Sequence, residues 1–162
     1  MSTIEPPTGW SPKLRTRPLF VISVEVGNLV DAGGPPGAQR RIANLKGGTF
    51  NGERLSGIVL GGGTDWQTLR GDNAVLIDAR ILLRTDDDAS IAMTYLGVRH
   101  GPPEILAGLS RGETVDPESY YFRITPRFET SAPRYEWLNR VVAIGIGQRL
   151  PEGPVYHLLE VL

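Results

Sequence analysis

Asp65 is the residue whose setting most invites chemistry. It follows Gly61-Gly62-Gly63-Thr64 and precedes Trp66, and glycines let backbone approach a ligand closely. A carboxyl beside an indole is held partly out of water, which favours its protonated form and suits it to general-acid work. The same position also suits a turn carboxylate capping local amides, with Trp66 as core. Glu129 is a second acid of this kind. Glu129 and Asn139 flank a short helical turn that contains Trp137, so Glu129 is either a base at a Trp-lined rim or a residue that pins a loop. Arg99 and Arg123 accompany Tyr95 and Tyr121. Guanidinium with phenol hydroxyl can clamp an enolate or carboxylate oxygen, or the arginines can stack on the tyrosines at an outer face. Asp78 and Arg80 lie two apart on one strand face, where they can orient a substrate oxygen or form a solvated ion pair. The expected catalytic set is therefore Asp65, Arg80, Arg123 and Glu129. Trp66, Asp78, Tyr95, Arg99, Tyr121, Trp137 and Asn139 are expected to contact substrate.

The rest of the inventory narrows this chemistry. The 162 residues include no cysteine and two histidines, His100 and His157. Disulfides, thiolate nucleophiles and Cys-ligated metals are excluded, and a histidine-built zinc site usually needs two or three histidines at suitable spacing. No metal and no cofactor are expected. His100, before Gly101-Pro102, suits a strand-to-helix junction better than a proton shuttle, and His157 reads as structural. The formal net charge of -1 is spread along the chain, which argues against nucleic acid and against a polybasic membrane patch. There is no apolar run of about 18 residues, and residues 1–7 lack a secretory pattern, so a cytoplasmic location is expected. Gly108-Leu109-Ser110-Arg111-Gly112 fits G-x-S-x-G, but a helix precedes it where a nucleophile elbow needs a strand. The three glycines at 61–63 lack the Lys-Ser/Thr of a phosphate loop. Asp86-Asp87-Asp88 lacks the glycine and distal glutamate of a calcium loop and reads as a hairpin turn.

Short strands must position these groups. Runs at residues 19–30, 40–49, 54–60, 64–69, 74–84, 90–98, 120–128, 140–148 and 155–161 have strand character and are separated mostly by turn residues. Asn51-Gly52 is expected to form a tight hairpin, since both residues tolerate positive φ. Sequential hairpins favour antiparallel pairing, and closure removes exposed edges. The expected fold is all-β, a closed antiparallel barrel of about eight or nine strands with one short helix, at 102–109, whose paired prolines suit a first turn. A further helical turn is expected at 133–138. Residues 1–16, with four prolines or glycines and Trp10, read as an extended arm, and 17–162 as one barrel domain. Residues 75, 77, 79, 81 and 83 are all apolar, whereas 78, 80 and 84 are charged. Each strand thus has two unlike faces, and alternation alone does not say which looks inward.

At this point Gly47-Gly48-Thr49-Phe50-Asn51-Gly52 with Arg54 and Gly57, then Gly61-Gly62-Gly63-Thr64-Asp65-Trp66, Leu76-Ile77-Asp78-Ala79-Arg80 and Leu83-Arg84-Thr85-Asp86-Asp87, together resemble the domain of unknown function 3237 family, also called uncharacterised protein family 0311. Tyr121-Phe122-Arg123-Ile124-Thr125-Pro126-Arg127-Phe128-Glu129-Thr130 and Pro133-Arg134-Tyr135-Glu136-Trp137-Leu138-Asn139 extend the likeness over about residues 18–162. The family's usual Pro-Gly-Gly-Ala-Asp-Trp reads Gly61-Gly62-Gly63-Thr64-Asp65-Trp66 here. The resemblance implies a barrel similar to allene-oxide-cyclase-type barrels, some of which are cofactor-free cyclases and isomerases. Fungal proteins that look like this family have been linked to ring closure by addition of a hydroxyl to an alkene. The expected function is a cofactor-independent cyclase, isomerase or lyase acting by acid–base catalysis on a hydrophobic, oxygenated small molecule in the lumen. A non-catalytic binding barrel and a structural oligomeric subunit are the alternatives. Pairing of copies, as a homodimer or larger assembly, is expected.

Overall fold

A computed structural model describes residue 5 and residues 7–162. Of the arm expected over residues 1–16, residues 1–4 and 6 lie outside the described residues. Trp10 is exposed. Eight strands follow: β1 (Thr16–Gly33), β2 (Ala38–Asn51), β3 (Ser56–Arg70), β4 (Val75–Thr85), β5 (Ser90–His100), β6 (Tyr121–Glu129), β7 (Val142–Leu150) and β8 (Gly153–Val161). They pair antiparallel in chain order, and β1 closes on β8 through Phe20↔Leu158 and Ile22↔Tyr156. The sheet is a closed barrel. One α-helix, α1 (Pro103–Ser110), connects β5 towards β6 and starts on a proline, whose missing N–H costs nothing in a first turn. Two 3-10 helices, Pro117–Ser119 and Pro133–Arg140, complete the elements among the described residues. Among the described residues no helix is long and apolar enough to cross a membrane.

The runs expected as two strands at 54–60 and 64–69 are one strand, β3. Gly61-Gly62-Gly63 does not end it. Instead the pairing of β3 with β4 shifts register between Leu60 and Thr64, and the pairing with β2 shifts between Leu45 and Gly48. A Cβ on Gly61 would lie 2.7 Å from the Lys46 carbonyl oxygen, and one on Gly63 would lie 2.6 Å from that of Arg80. The glycines let three strands crowd together at a bulged corner, where a barrel must bend sharply. Asn51-Gly52 also differs from expectation. Neither residue has positive φ, and the connection runs through Leu55, which is buried. A Cβ on Gly52 would meet the Leu19 carbonyl oxygen at 2.3 Å, so close approach rather than turn geometry requires glycine there.

The apolar face of each strand turns inward. Val75, Ile77, Ala79, Ile81 and Leu83 of β4 are buried, as are Phe122, Ile124 and Phe128 of β6. The two ends of the lumen then differ. At the end where β1 begins and β8 finishes, Phe20 packs on Phe50 and Phe128, with ring centroids 5.2 and 5.9 Å apart. There β6 and β7 splay apart after the pairs Arg123↔Ile146 and Ile124↔Gly145, and the 3-10 helix Pro133–Arg140 caps that end with buried Tyr135 and Leu138. Tyr135 donates its hydroxyl to Asp87 at 2.7 Å, which fastens the cap to the β4–β5 turn. The opposite end is open, and α1 lies at its rim.

Candidate functional site

The open end holds a cavity of about 420 Å³, within the usual range for small-molecule sites. Its charged lining is Arg41, Asp65, Arg99 and Arg149, with Gln67, Asn73, Ser110 and Tyr156 as neutral polar groups, and its walls include Val26, Leu69, Val75, Ile77, Phe122 and, from α1, Leu106.

Each polar group arrives by the same local rule. Asp65 continues the inward face of β3 beyond the bulge, paired with Ala43 on one side and Ala79 on the other. These neighbours are short, so space remains above them for the carboxyl. Gln67 is the next inward residue. Its Nε2 donates to Asp65 Oδ2 at 2.7 Å, and its Oε1 accepts from Arg41 Nη2 at 3.2 Å. Arg41 thus reaches Asp65 through a neutral amide. Asp65 Oδ1 is buried with no hydrogen-bond partner among the described residues. Burial pushes the Asp65 carboxyl above its ordinary range, against the opposing pull of Gln67 and the Arg99 charge. A buried carboxyl of this kind is a proton donor or acceptor poised nearer neutrality than a surface one.

Arg99 ends the inward series Ile91, Met93, Tyr95 on β5, and is paired with Phe122. Its guanidinium lies 5.4 Å from the Phe122 ring centroid, and its buried Nε has no hydrogen-bond partner among the described residues. Burial first, then the positive charge of Arg149, holds Arg99 below its ordinary range. Arg149 comes from the end of β7 and is lowered by burial as well. Tyr156 forms part of the floor, edge-on to Phe122 and to Tyr95 at 5.3 and 5.5 Å. Burial drives both phenols far above their ordinary range, and the Asp65 charge adds to it, so both remain protonated hydroxyl groups.

The structure brings only part of the sequence-derived set together. Asp65 and Arg99 face the cavity, and Tyr95 lies behind Tyr156. The others are elsewhere. Arg80 and Asp78 are exposed on the outer face of β4, and Trp66 is outside on β3. Arg123 is on the outer face of β6, 4.8 Å from the Tyr121 ring centroid, and Tyr121 stacks on His100. Glu129 is exposed at the closed end. Asn139 bridges the backbone of Thr130 at 2.8 Å in both directions, pinning the cap. Trp137 lies under the Arg54 guanidinium, 4.0 Å from it. Arg80, Arg123 and Glu129 therefore share no space with Asp65, because period-two alternation sends them opposite to the buried apolar residues beside them.

Arg41, Gln67, Arg149 and Tyr156 escaped the sequence reading. Their signal was phase. Arg41 is in step with buried Ala43 and Leu45, and Arg149 with buried Ala143, Gly145 and Gly147. An apolar inward series that ends in a cation at the same barrel end on several strands marks a polar mouth. Among the described residues, no group of three or more His, Asp or Glu side chains is placed to hold a metal ion.

Residues 14–161 match the family described as "Protein of unknown function (DUF3237)". The UPF0311 protein RPA1785 of Rhodopseudomonas palustris is 38% identical over 152 residues, spanning 94% of this chain and 99% of that one. Its crystal structure, of a conserved protein of unknown function, superposes with a TM-score of 0.90, covering 94% of this chain and all (100%) of that one. A β-barrel-like protein from Acinetobacter baumannii is 39% identical with a TM-score of 0.83, covering 96% and 100% of the two chains. An enzyme from Penicillium herquei shares the fold at 24% identity, with a TM-score of 0.73 and coverage of 95% and 99%.

Proposed function

The chain belongs to the DUF3237 family, and from that premise we propose that it is a cofactor-independent enzyme of the cyclase, isomerase or lyase type, moving a proton on a hydrophobic, oxygenated substrate held in the open half of the barrel. The observation that carries this reading is Asp65: a buried carboxyl with one unpartnered oxygen, raised by burial, in one cavity with Arg99. The Penicillium herquei enzyme supports a catalytic use of the same architecture.

For ring closure onto an alkene conjugated to a carbonyl, Asp65 takes the proton of the attacking hydroxyl as the new C–O bond forms. The alkene π electrons move to the carbonyl oxygen as an enolate. Arg99 stabilises that oxygen, with Tyr156 O–H as a second donor from the floor. Asp65 then returns the proton to carbon, so no atom is lost. General acid–base catalysis of this kind contributes about 10²–10⁴-fold, and a fixed cation adds to it because the wall excludes water.

The test is a panel of aromatic ketones bearing a pendant hydroxyl and a conjugated alkene, incubated in D₂O and followed by NMR for ring closure and for deuterium next to the carbonyl. The expected result is turnover by the wild type that falls about 10²-fold or more in Asp65→Asn. Rates equal in both proteins would overturn the catalytic reading. Saturable binding without turnover across the panel would favour the carrier alternative, which the apolar walls support.

A further inference from the structure

We propose that the cavity is built for a carboxylate, and that its substrate is a largely apolar monoanion whose carboxylate sits among Arg41, Arg99 and Arg149. This rests on the reading of the cavity as the substrate site and adds what that reading leaves open, the charge of the molecule bound there.

The first support is an imbalance of charge. Arg41, Arg99 and Arg149 come from three strands, β2, β5 and β7, to one cavity whose lining contains a single carboxyl, Asp65. The second is partnership. Ion pairs within 4.0 Å among the described residues engage Arg17, Arg54, Arg70, Arg84, Arg111 and Arg134, and none of the three cavity arginines. Instead Arg41 donates to the neutral Gln67 amide and Arg149 to its neighbour's carbonyl, Leu150. The Nε atoms of Arg41 and Arg99 are buried without a hydrogen-bond partner among the described residues. A desolvated cation without a counter-charge is costly, and at Arg99 the nearby positive charges of Arg149 and Arg41 add to the effect of burial.

One planar carboxylate answers these features together. It accepts paired N–H donors from a guanidinium fork and lowers the repulsion among the three. A phosphate dianion fits less well, because the Asp65 carboxyl shares the space and opposes a second negative charge more than a first. A neutral ketone or alcohol engages Arg99 at most through its oxygen and leaves the Arg41 and Arg149 charges uncompensated. The rest of the molecule is specified by Leu69, Val75, Ile77 and Leu106, which offer an apolar wall for a ring or chain. In such a molecule the carboxylate is the handle that orients the reacting carbon towards Asp65 Oδ1.

The test uses 2-naphthoate and its neutral counterpart of like shape, 2-naphthamide, titrated calorimetrically into the full-length protein. The expected result is a preference for naphthoate of about tenfold or more, weakened by high salt and lost in Arg149→Gln or Arg99→Gln. Arg149→Lys keeps the charge without the fork and is expected to retain part of the preference, which preserves the test if a glutamine variant fails to fold. Equal affinity for the two probes overturns the carboxylate site and leaves the proton-transfer reading standing, since that depends on Asp65 turnover. A naphthoate preference unchanged in all three of Arg41→Gln, Arg99→Gln and Arg149→Gln overturns it as well, and so does the absence of binding by both probes.

Discussion

Asp65 and Glu160 both point into the barrel, near opposite ends, and their surroundings are opposite. Glu160 Oε2 is clamped at the closed end by Arg17 at 2.9 Å and Arg54 at 2.5 Å. Burial works to raise its carboxyl, but the two guanidiniums outweigh burial and hold it below the ordinary range. Asp65 has one amide partner and a bare oxygen, and burial wins. The closed end therefore uses an acid as a fastening, with two guanidiniums converging on one of its oxygens. The open end keeps an acid whose bonding is incomplete. Incomplete satisfaction of buried groups is costly for folding, and its concentration at one end of one lumen is what separates a site from a structural core.

The largest break in this comparison comes from the closed end. Phe50→Ala removes a fully buried ring that packs on Phe20 and is expected to cost about 3–5 kcal/mol in urea denaturation. Leu106→Ala, on half-buried α1 at the open rim, is expected to cost about 1 kcal/mol or less. Equal losses would mean that the two ends contribute alike to the core.

The two acids should also give opposite pH dependence. For Glu160 the folded protein releases the proton more readily than the unfolded chain, whose ordinary value is 4.5. Its contribution is present above that value and lost as pH falls through the lowered one. Glu160→Gln should therefore cost about 1–3 kcal/mol at neutral pH and flatten the acid limb of stability. For Asp65 the folded protein holds the proton more tightly than the unfolded chain, whose ordinary value is 3.8. Stability attributable to Asp65 falls as pH rises from that value through the raised one, and Asp65→Asn should remove this decline. Denaturation curves across a pH series measure both. Slopes of the same sign would mean that burial and ion pairing do not act oppositely on the two acids.

The smallest effect is expected outside. Arg127 is exposed on the outer face of β6, and Arg127→Gln should change stability by no more than about 0.5 kcal/mol. It should leave naphthoate affinity as in the wild type, measured in the same titration. A loss like that of Arg99→Gln would show that guanidinium position relative to the lumen does not matter.

Legibility in the sequence was uneven for physical reasons. The strand runs, the prolines that start α1 and the turn at Asp86-Asp87-Asp88 are local signals, and apart from the two runs that merge into β3 they reappear near their expected places. The glycines at 61–63 misled, because a glycine run that ends a strand and one that bulges it look alike until the neighbouring strands are known. Asp65 stood out by its company, and Arg99 by its strand with Tyr95. Arg41 and Arg149 had no unusual neighbours at all.

By itself the sequence determined the period of two along each strand, the exclusion of thiol chemistry and the family to which the chain belongs. Only the tertiary structure decided which face of each strand is the inside, because that phase depends on the sheet closing so that apolar faces meet one another. The same closure brings Arg41, Asp65, Arg99 and Arg149 into one cavity from four separate strands. No local spacing encodes that convergence, which follows from hydrogen-bond registers joined all the way round the barrel.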